Sequence, residues 1–81
     1  MDDYARNIHD WFFAVLERDD WYCQNCLAET NLDAAHIIPR SRSRQLRLAV
    51  SNGICLCRRC HQYFSHRPAM FDLWIMSRRR P

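Results

Sequence analysis

Lysine is missing from this 81-residue sequence, glycine occurs once, and only one acidic residue follows position 35. An apolar run long enough to cross a bilayer is also missing, as are internal repeats and low-complexity stretches, which argues against membrane-spanning and repetitive architectures. No cleavable signal segment is recognisable. The sequence therefore predicts one soluble, cytoplasmic domain, close to the size at which a hydrophobic core alone gives little stability.

Five cysteines are present, at positions 23, 26, 55, 57 and 60. Their odd number and the lack of a signal segment argue against disulfides, whereas two Cys-x-x-Cys pairs separated by 30 residues are typical of tetrahedral zinc. We predict Cys23, Cys26, Cys57 and Cys60 as ligands of a structural zinc ion, without which the chain does not fold. Cys55 is a rival ligand, but its apolar surroundings favour a small buried residue.

Charge divides the chain into two halves. Residues 1–35 carry eight acidic and two basic side chains, whereas residues 36–81 carry ten arginines and Asp72. The second half is therefore the one that would meet a polyanion. Arginines alternate within residues 39–47, so an extended conformation would place them along one edge, and this is compatible with a solvated flexible loop. Arg78, Arg79 and Arg80 form a basic tail that either binds phosphate or only aids solubility.

Hydrophobic periodicity predicts three helices and two strands. An apolar stripe over residues 2–19 predicts an amphipathic helix, followed by a strand over Leu32–Ile38 and a second strand around Gly53–Leu56. A further helix is predicted from Cys57 to about Ser65. Beyond Pro68, a last helix from Ala69 to Met76 is expected to bury Phe71, Leu73 or Trp74.

Three segments together resemble the zinc-knuckle branch of the HNH endonucleases. They are Cys23-x-x-Cys26, the run from Asp33 to Arg40 that reads Asp-Ala-Ala-His-Ile-Ile-Pro-Arg, and the run from Asn52 to His61. The resemblance spans residues 23–66 and implies a β-β-α metal core of the His-Me finger type. We therefore expect a small α+β zinc-stabilised domain over residues 1–81, with an N-terminal helix (1–20), a zinc-knuckle core (21–66) and a short C-terminal helix with a basic tail (67–81).

The same resemblance implies roles for individual residues. His36 would be the general base that activates water, and Asn52 would hold the strand pair so that His36 points at the scissile phosphate. His61, with His66 nearby, would ligate a catalytic divalent metal such as Mg²⁺, Mn²⁺ or Ni²⁺, distinct from the structural Zn²⁺. The implied products are a 5′ phosphate and a 3′ hydroxyl.

Two positions depart from the family pattern. Ala35 stands before the general base, where many members have a metal-binding Asp or His, and Asp33 is the neighbour on the same strand face that could replace it. Ser65 stands four residues after His61, where another ligand is common, and His66 follows it. These departures favour weak or substrate-dependent binding of the catalytic metal.

The sequence thus predicts a nuclease that nicks or cleaves DNA. Its backbone contacts are expected from five arginines, Arg40, Arg42, Arg44, Arg58 and Arg59. One alternative is a catalytically degenerate, zinc-stabilised nucleic-acid-binding module. Another is an adaptor whose aromatic surface binds a protein partner, and resemblance to small stand-alone HNH proteins of phages and prophages suggests a terminase in a bacterial cell. No pattern indicates a base preference, or separates DNA from RNA.

Overall fold

Residues 3–78, the part that the computed structural model describes, form three α-helices and one two-stranded sheet. The elements are α1 (Ile8–Arg18), β1 (Leu32–His36), β2 (Gly53–Cys57), α2 (Arg58–Ser65) and α3 (Pro68–Arg78). The β1-β2-α2 order is the predicted β-β-α core, with a helix added at each end, so the predicted α+β class is confirmed. Within this described part, the helices are too short and too polar for any of them to span a bilayer.

The sheet is an antiparallel pair in which Leu32 lies opposite Cys57 and His36 lies opposite Gly53. All five residues of β2 are buried, because both faces of this strand are covered. Helix α1 covers one face, and the other face joins an apolar cluster with α2 and α3. That cluster includes Ala35, Ile54, Leu56, Phe64, Phe71 and Ile75.

Helix α1 begins six residues later than the apolar stripe predicts. Asn7 is its N-cap, with its side-chain oxygen accepting the main-chain N–H of Asp10 at 2.8 Å. The preceding residues are extended, and Tyr4 forms a β-bridge with Ala49 instead of extending the helix. The predicted stripe is correct within the helix itself, where Trp11, Val15 and Leu16 are buried.

Gly53, the only glycine of the chain, marks a close approach between α1 and the sheet. Its backbone is ordinary for a strand, with φ of −125°, so conformational freedom is not the reason for glycine here. A Cβ atom at this position would lie 2.8 Å from the indole of Trp11 and would also collide with Val15. The missing side chain therefore lets α1 pack directly on the strand pair.

The predicted strand over Leu32–Ile38 is two residues too long. The main-chain N–H of Ile38 is bonded to the side-chain oxygen of Asn52 at 2.8 Å and not to a partner strand. Residues 39–47, which we call the arginine segment, then fold into consecutive turns, with Arg42 N bonded to Pro39 O at 2.9 Å. The arginines therefore do not lie along one extended edge, because the segment that carries them is folded into turns.

Helix α3 buries Phe71 and Ile75, four residues apart on one face, and Trp74 packs against the same cluster. Of the three predicted alternatives, Phe71 is the buried one, whereas Leu73 points away from that face and is 68% exposed. At the end of α3, the guanidinium of Arg78 donates to the Gln24 side chain at 2.7 Å and lies over the Trp74 ring. Arg79 and Arg80 of the predicted basic tail lie outside the described residues.

Candidate functional site

The sulfur atoms of four cysteines lie close together beside the sheet. Those of Cys23, Cys26, Cys57 and Cys60 all lie within 4.8 Å of one another. The Cys26 and Cys57 sulfurs are 3.7 Å apart. A tetrahedron with Zn–S bonds of about 2.3 Å has sulfur–sulfur edges of about 3.8 Å. The four predicted ligands are thus assembled at a spacing that fits zinc.

Each Cys-x-x-Cys pair is held by its own main chain. The N–H of Cys26 points to the sulfur of Cys23 at 3.5 Å, and the N–H of Cys60 points to the sulfur of Cys57 at 3.4 Å. Burial raises the pKa of Cys23, but surrounding main-chain N–H groups outweigh it and bring this pKa down to about 7. The local backbone therefore favours the thiolate that metal binding requires at this ligand.

Cys55 lies apart from the cluster in the centre of β2 and is fully buried. Burial, supported by the nearby Asp19 carboxylate, raises the pKa of the Cys55 thiol to about 12. The same carboxylate accepts the main-chain N–H of Cys55 at 2.8 Å. Cys55 is thus a neutral core residue, in agreement with the interpretation of its sequence context.

A cleft of about 500 Å³ opens at the end of β1, between the arginine segment and the helices α2 and α3. Its wall contains apolar side chains from the core together with a small polar set. The polar residues are His36, Arg40, Ser41, Arg42, His61, Ser65 and Asp72. Two predicted site histidines and two predicted phosphate-binding arginines therefore share one concave surface.

His36 ends β1 with its ring held on one edge and one face. Its Nε2 lies 2.9 Å from the Arg47 main-chain oxygen. A carbonyl only accepts, so Nε2 carries the hydrogen and the neutral ring keeps its lone pair on Nδ1. One face of the ring stacks on Trp11, with ring centroids 4.0 Å apart and planes 9° from parallel.

Burial is the main cause that lowers the pKa of His36 below its ordinary value. The hydrogen bond to the Arg47 carbonyl opposes this shift, whereas the charges of Arg40 and His61 support it. The imidazole is therefore neutral at pH 7, which is the form that accepts a proton.

Asn52 is the one buried polar side chain in the described core and is only 5% exposed. Its amide oxygen accepts the Ile38 N–H at 2.8 Å, while its NH₂ donates to the carbonyls of Ile38 and Leu46, each at 3.1 Å. The side chain thus ties together the two ends of the arginine segment. In addition, its main-chain oxygen accepts the Ile37 N–H, next to His36.

His61 lies on α2 beside Asp33 of β1, with its Nδ1 3.2 Å from a carboxylate oxygen. Asp33 also lies 3.9 Å from the Arg58 guanidinium. Both His61 and Asp33 are partly exposed, so either can reach a cation from solvent. Ala35, by contrast, is buried and offers no ligand atom.

The remaining predicted metal ligand lies elsewhere. His66 is the C-cap residue of α2, is exposed, and is not among the residues that line the cleft. Ser65 does line it, but its hydroxyl donates to the His61 carbonyl at 2.7 Å. Over residues 3–78, only the four cysteines form a ligand group of three or more that is already clustered.

Four of the five predicted phosphate-binding arginines border two separate depressions, and the fifth borders neither. Arg40 and Arg42 line the cleft, whereas Arg58 and Arg59 border a second depression of about 450 Å³ beside Cys26 and Cys57. Arg44 is exposed within the turns of the arginine segment. The side chains of this set therefore do not share one surface.

Three groups of the site were not predicted from the sequence: Asp72 on the wall of the cleft, and Trp11 and Arg47 against the His36 ring. Trp11 was assigned only to the buried stripe of α1, and Asp72 was noticed only as the single acid of its half. The Arg47 contribution is a main-chain oxygen, for which a sequence carries no signal. The other two could have been found only by knowing how α1 and α3 pack on the core.

Comparison with known proteins gives one match. A family model described as HNH endonuclease matches residues 20–72, about two thirds of the chain. This span contains the four cysteines, His36, Asn52 and His61, and it begins after α1. No curated protein and no solved structure matches the chain.

Proposed function

Because this chain belongs to the HNH endonuclease family, we propose that it is a metal-dependent nuclease that nicks or cleaves DNA with His36 as general base. One observation carries this proposal. On the wall of the cleft, the His36 ring donates Nε2–H to the Arg47 carbonyl, which leaves Nδ1 as the basic atom. A neutral imidazole held in one tautomer suits proton abstraction from water at neutral pH.

In the proposed reaction, Nδ1 of His36 takes a proton from the water that attacks the scissile phosphate. Arg40 and Arg42, on the same wall, hold the phosphate through charge-assisted hydrogen bonds. Asn52 acts indirectly, since its hydrogen bonds fix the ends of the arginine segment that carries these two side chains. The products would be a 5′ phosphate and a 3′ hydroxyl.

His61 and Asp33 are the side chains we assign to the catalytic divalent cation, such as Mg²⁺, Mn²⁺ or Ni²⁺. Their nitrogen and oxygen donors suit these cations, and they are 3.2 Å apart. Bound there, the cation would neutralise phosphate charge and stabilise the leaving 3′ oxygen. With only two protein donors, most of its coordination positions remain for water and substrate. His66 would join only if the end of α2 rearranged.

The four-cysteine cluster is assigned to structural Zn²⁺, supported by its sulfur spacing and its N–H···S contacts. It connects the segment before β1 to the start of α2, where Cys57 is the N-cap residue. Zinc would therefore stabilise the core of a single domain over residues 1–81 without entering the reaction.

A second candidate is a nucleic-acid-binding module that has lost catalysis and acts with a protein partner. The sparse ligand set of the cleft favours it, because Ala35 provides no donor. An aromatic surface supports a partner, since Phe13, Trp21 and Tyr22 are each more than 40% exposed. A phage terminase remains the expected kind of partner in a bacterial cytoplasm.

The deciding experiment follows conversion of supercoiled plasmid to nicked and linear forms by zinc-loaded protein with added Mg²⁺, Mn²⁺ or Ni²⁺. The variant is His36→Ala, and the matched control is His9→Ala, which removes an exposed histidine of α1. We expect His36→Ala to slow cleavage by about 10²–10⁴-fold and His9→Ala to leave it unchanged. Equal cleavage by both variants would eliminate His36 as the base.

A second series tests the metal assignment. Asp33→Asn should raise the Mn²⁺ concentration needed for half-maximal cleavage at least tenfold, whereas Glu29→Gln, at an exposed position nearby in sequence, should not change it. Binding of DNA without cleavage at any metal concentration, by protein shown to be folded and zinc-bound, would instead favour the binding module.

A further inference from the structure

We propose that Trp11 is a positioning residue for His36, so that helix α1 completes an active site whose other parts lie within residues 20–72. This inference rests on the proposed role of His36. Trp11 precedes the region matched by the family model. It therefore contributes something that the matched region alone does not contain.

The first observation is the stacking of the two rings. The centroids of Trp11 and His36 are 4.0 Å apart and their planes differ by 9°. Trp11 is itself immobilised in the core, at 2% exposure. Rotation of an imidazole about its last side-chain bond is soft, since no sharp energy minimum fixes it. A rigid flat surface on one face removes most of that freedom.

The second observation is that the same indole fixes the chain that holds the edge of the His36 ring. Trp11 Nε1–H donates to the Ala49 carbonyl at 2.8 Å. Ala49 lies two residues after Arg47, whose carbonyl accepts Nε2–H of His36 at 2.9 Å. One indole thus covers the face of the ring and anchors the segment that binds its edge.

The N-terminal residues strengthen this anchor. The main-chain N–H of Ala5 donates to the Leu48 carbonyl at 2.9 Å, and the N–H of Val50 donates to the Asp3 carbonyl at 2.8 Å. The segment before α1 is therefore bonded to the residues on either side of Ala49, Leu48 and Val50. As a result, the position of the Arg47 carbonyl depends on residues 3–11 as a unit.

The consequence for the reaction is orientation of the base. With one face and one edge fixed, Nδ1 keeps a single orientation relative to the cleft. Misplacement of a reacting group by about 1 Å can cost about 10²-fold in rate. Loss of the flat surface should therefore lower the turnover number, while substrate binding by Arg40 and Arg42 is unaffected.

Two substitutions separate orientation from simple core packing. Trp11→Phe keeps a flat aromatic face but loses the bond to Ala49, whereas Trp11→Leu keeps apolar bulk without a flat face. The control is Leu16→Ala, which weakens the core from the same helix at a residue that is 1% exposed. All three are measured as full-length, zinc-loaded proteins at a temperature where each is fully folded.

For plasmid or oligonucleotide cleavage, we expect Trp11→Leu to lower kcat at least tenfold with little change in KM. Trp11→Phe should fall between it and wild type, and Leu16→Ala should stay within about twofold of wild type. The proposal would be overturned if Trp11→Leu and Leu16→Ala had the same kcat, whether both keep the wild-type value or both lose it to the same extent.

The imidazole ¹⁵N chemical shifts of His36 provide a readout that does not depend on activity. Wild-type protein at pH 8 should show the Nε2–H tautomer alone, and Trp11→Leu should show a mixture of both tautomers. An unchanged single tautomer in Trp11→Leu would reject the positioning role even if the chain is a nuclease. If His36→Ala leaves cleavage intact, the proposed function fails, and these shifts still decide whether Trp11 orients the ring.

Discussion

The four-cysteine cluster and the histidine cleft lie on the same strand pair but are assembled in different ways. Each pair of cysteines is three residues apart and is held by its own main-chain N–H groups. The cleft instead combines groups from β1, the arginine segment, α2 and α3, and α1 supports it from behind through Trp11, which stacks on His36. The ring of His36 is held by Arg47 and Trp11, which lie 11 and 25 positions away in sequence.

Because of this difference, we expect substitutions at the two sites to have different effects on the fold and on the geometry of the site. A local metal knuckle tolerates changes elsewhere, but its loss removes the fold. A site built from distant segments can lose its geometry while the fold remains, because each support is a single contact. The following experiments either break this contrast or make it sharper.

The largest effect is expected from the cysteine cluster. Removal of zinc by a chelator, or the substitution Cys57→Ser, should unfold the chain, since structural zinc contributes about 10–16 kcal/mol in small zinc fingers. Far-UV circular dichroism with zinc analysis would measure this. Cys55→Ala is the matched control, because Cys55 is buried in the same strand but lies outside the cluster. A folded, zinc-free Cys57→Ser protein would contradict the assignment.

A smaller loss is expected when the support of the cleft is removed. Asn52→Ala leaves the Ile38 and Leu46 main-chain groups without their partner, and we expect about 3 kcal/mol less unfolding free energy. Urea unfolding of zinc-loaded protein measures it, with Gln45→Ala, at an exposed position of the arginine segment, as control. Zinc content should stay at one ion per chain. Loss of zinc together with Asn52 would show that the two sites are not independent.

Next, the two groups of arginines should differ. A double variant of Arg40 and Arg42 should slow cleavage and reduce the slope of log K for DNA against log salt by roughly 2, because each phosphate contact contributes about 0.9. The double variant of Arg58 and Arg59, beside the cysteines, should change that slope by less than 1; the slope is compared because Arg58 lies 3.9 Å from Asp33, so its loss can also affect the cleavage rate. Similar reductions of the slope in both double variants would show that the substrate spans both surfaces.

The smallest effect concerns pH. Burial lowers the pKa of His36, so the acidic limb of kcat/KM should lie below the ordinary histidine value of about 6.5. The free energy of unfolding should also decrease at low pH. The folded state disfavours the protonated ring, so it loses stability as pH falls through that lowered pKa. Arg40→Gln removes a charge that lowers this pKa and should move the limb upward. A limb that does not move would show that the Arg40 charge is too far from His36 to act.

Sequence reasoning was most successful where chemistry is local. The grouping of Cys23, Cys26, Cys57 and Cys60 was expected from their spacing, and the β-β-α order follows from periodicity and turn residues. Helix α1 was predicted to begin six residues too early, since the apolar stripe includes Tyr4, which pairs with Ala49 instead. Nothing in local propensity weighs a helix against a distant strand partner.

The cleft was predicted less completely for the same reason. His36, Asn52 and His61 were proposed from family resemblance, and the structure places His36 and His61 on one cleft with Asn52 behind it. The proximity of Asp33 to His61 was not predicted, because it depends on where α2 crosses the sheet. The sequence left Phe71, Leu73 and Trp74 as alternatives for burial, because α3 is apolar on several faces and composition alone does not identify the buried one.

The first cysteine knuckle is bracketed by unusual backbone. Asp20, Trp21, Leu27 and Asn31 all adopt positive φ angles between 55° and 68°, a region that costs side-chain-bearing residues about 1–2 kcal/mol each. Thiolate–metal bonds would hold the backbone in this unfavourable conformation. Residues 20–31 should therefore be the first part of the chain to open when the ion leaves, and their amide hydrogens should exchange before those of β2.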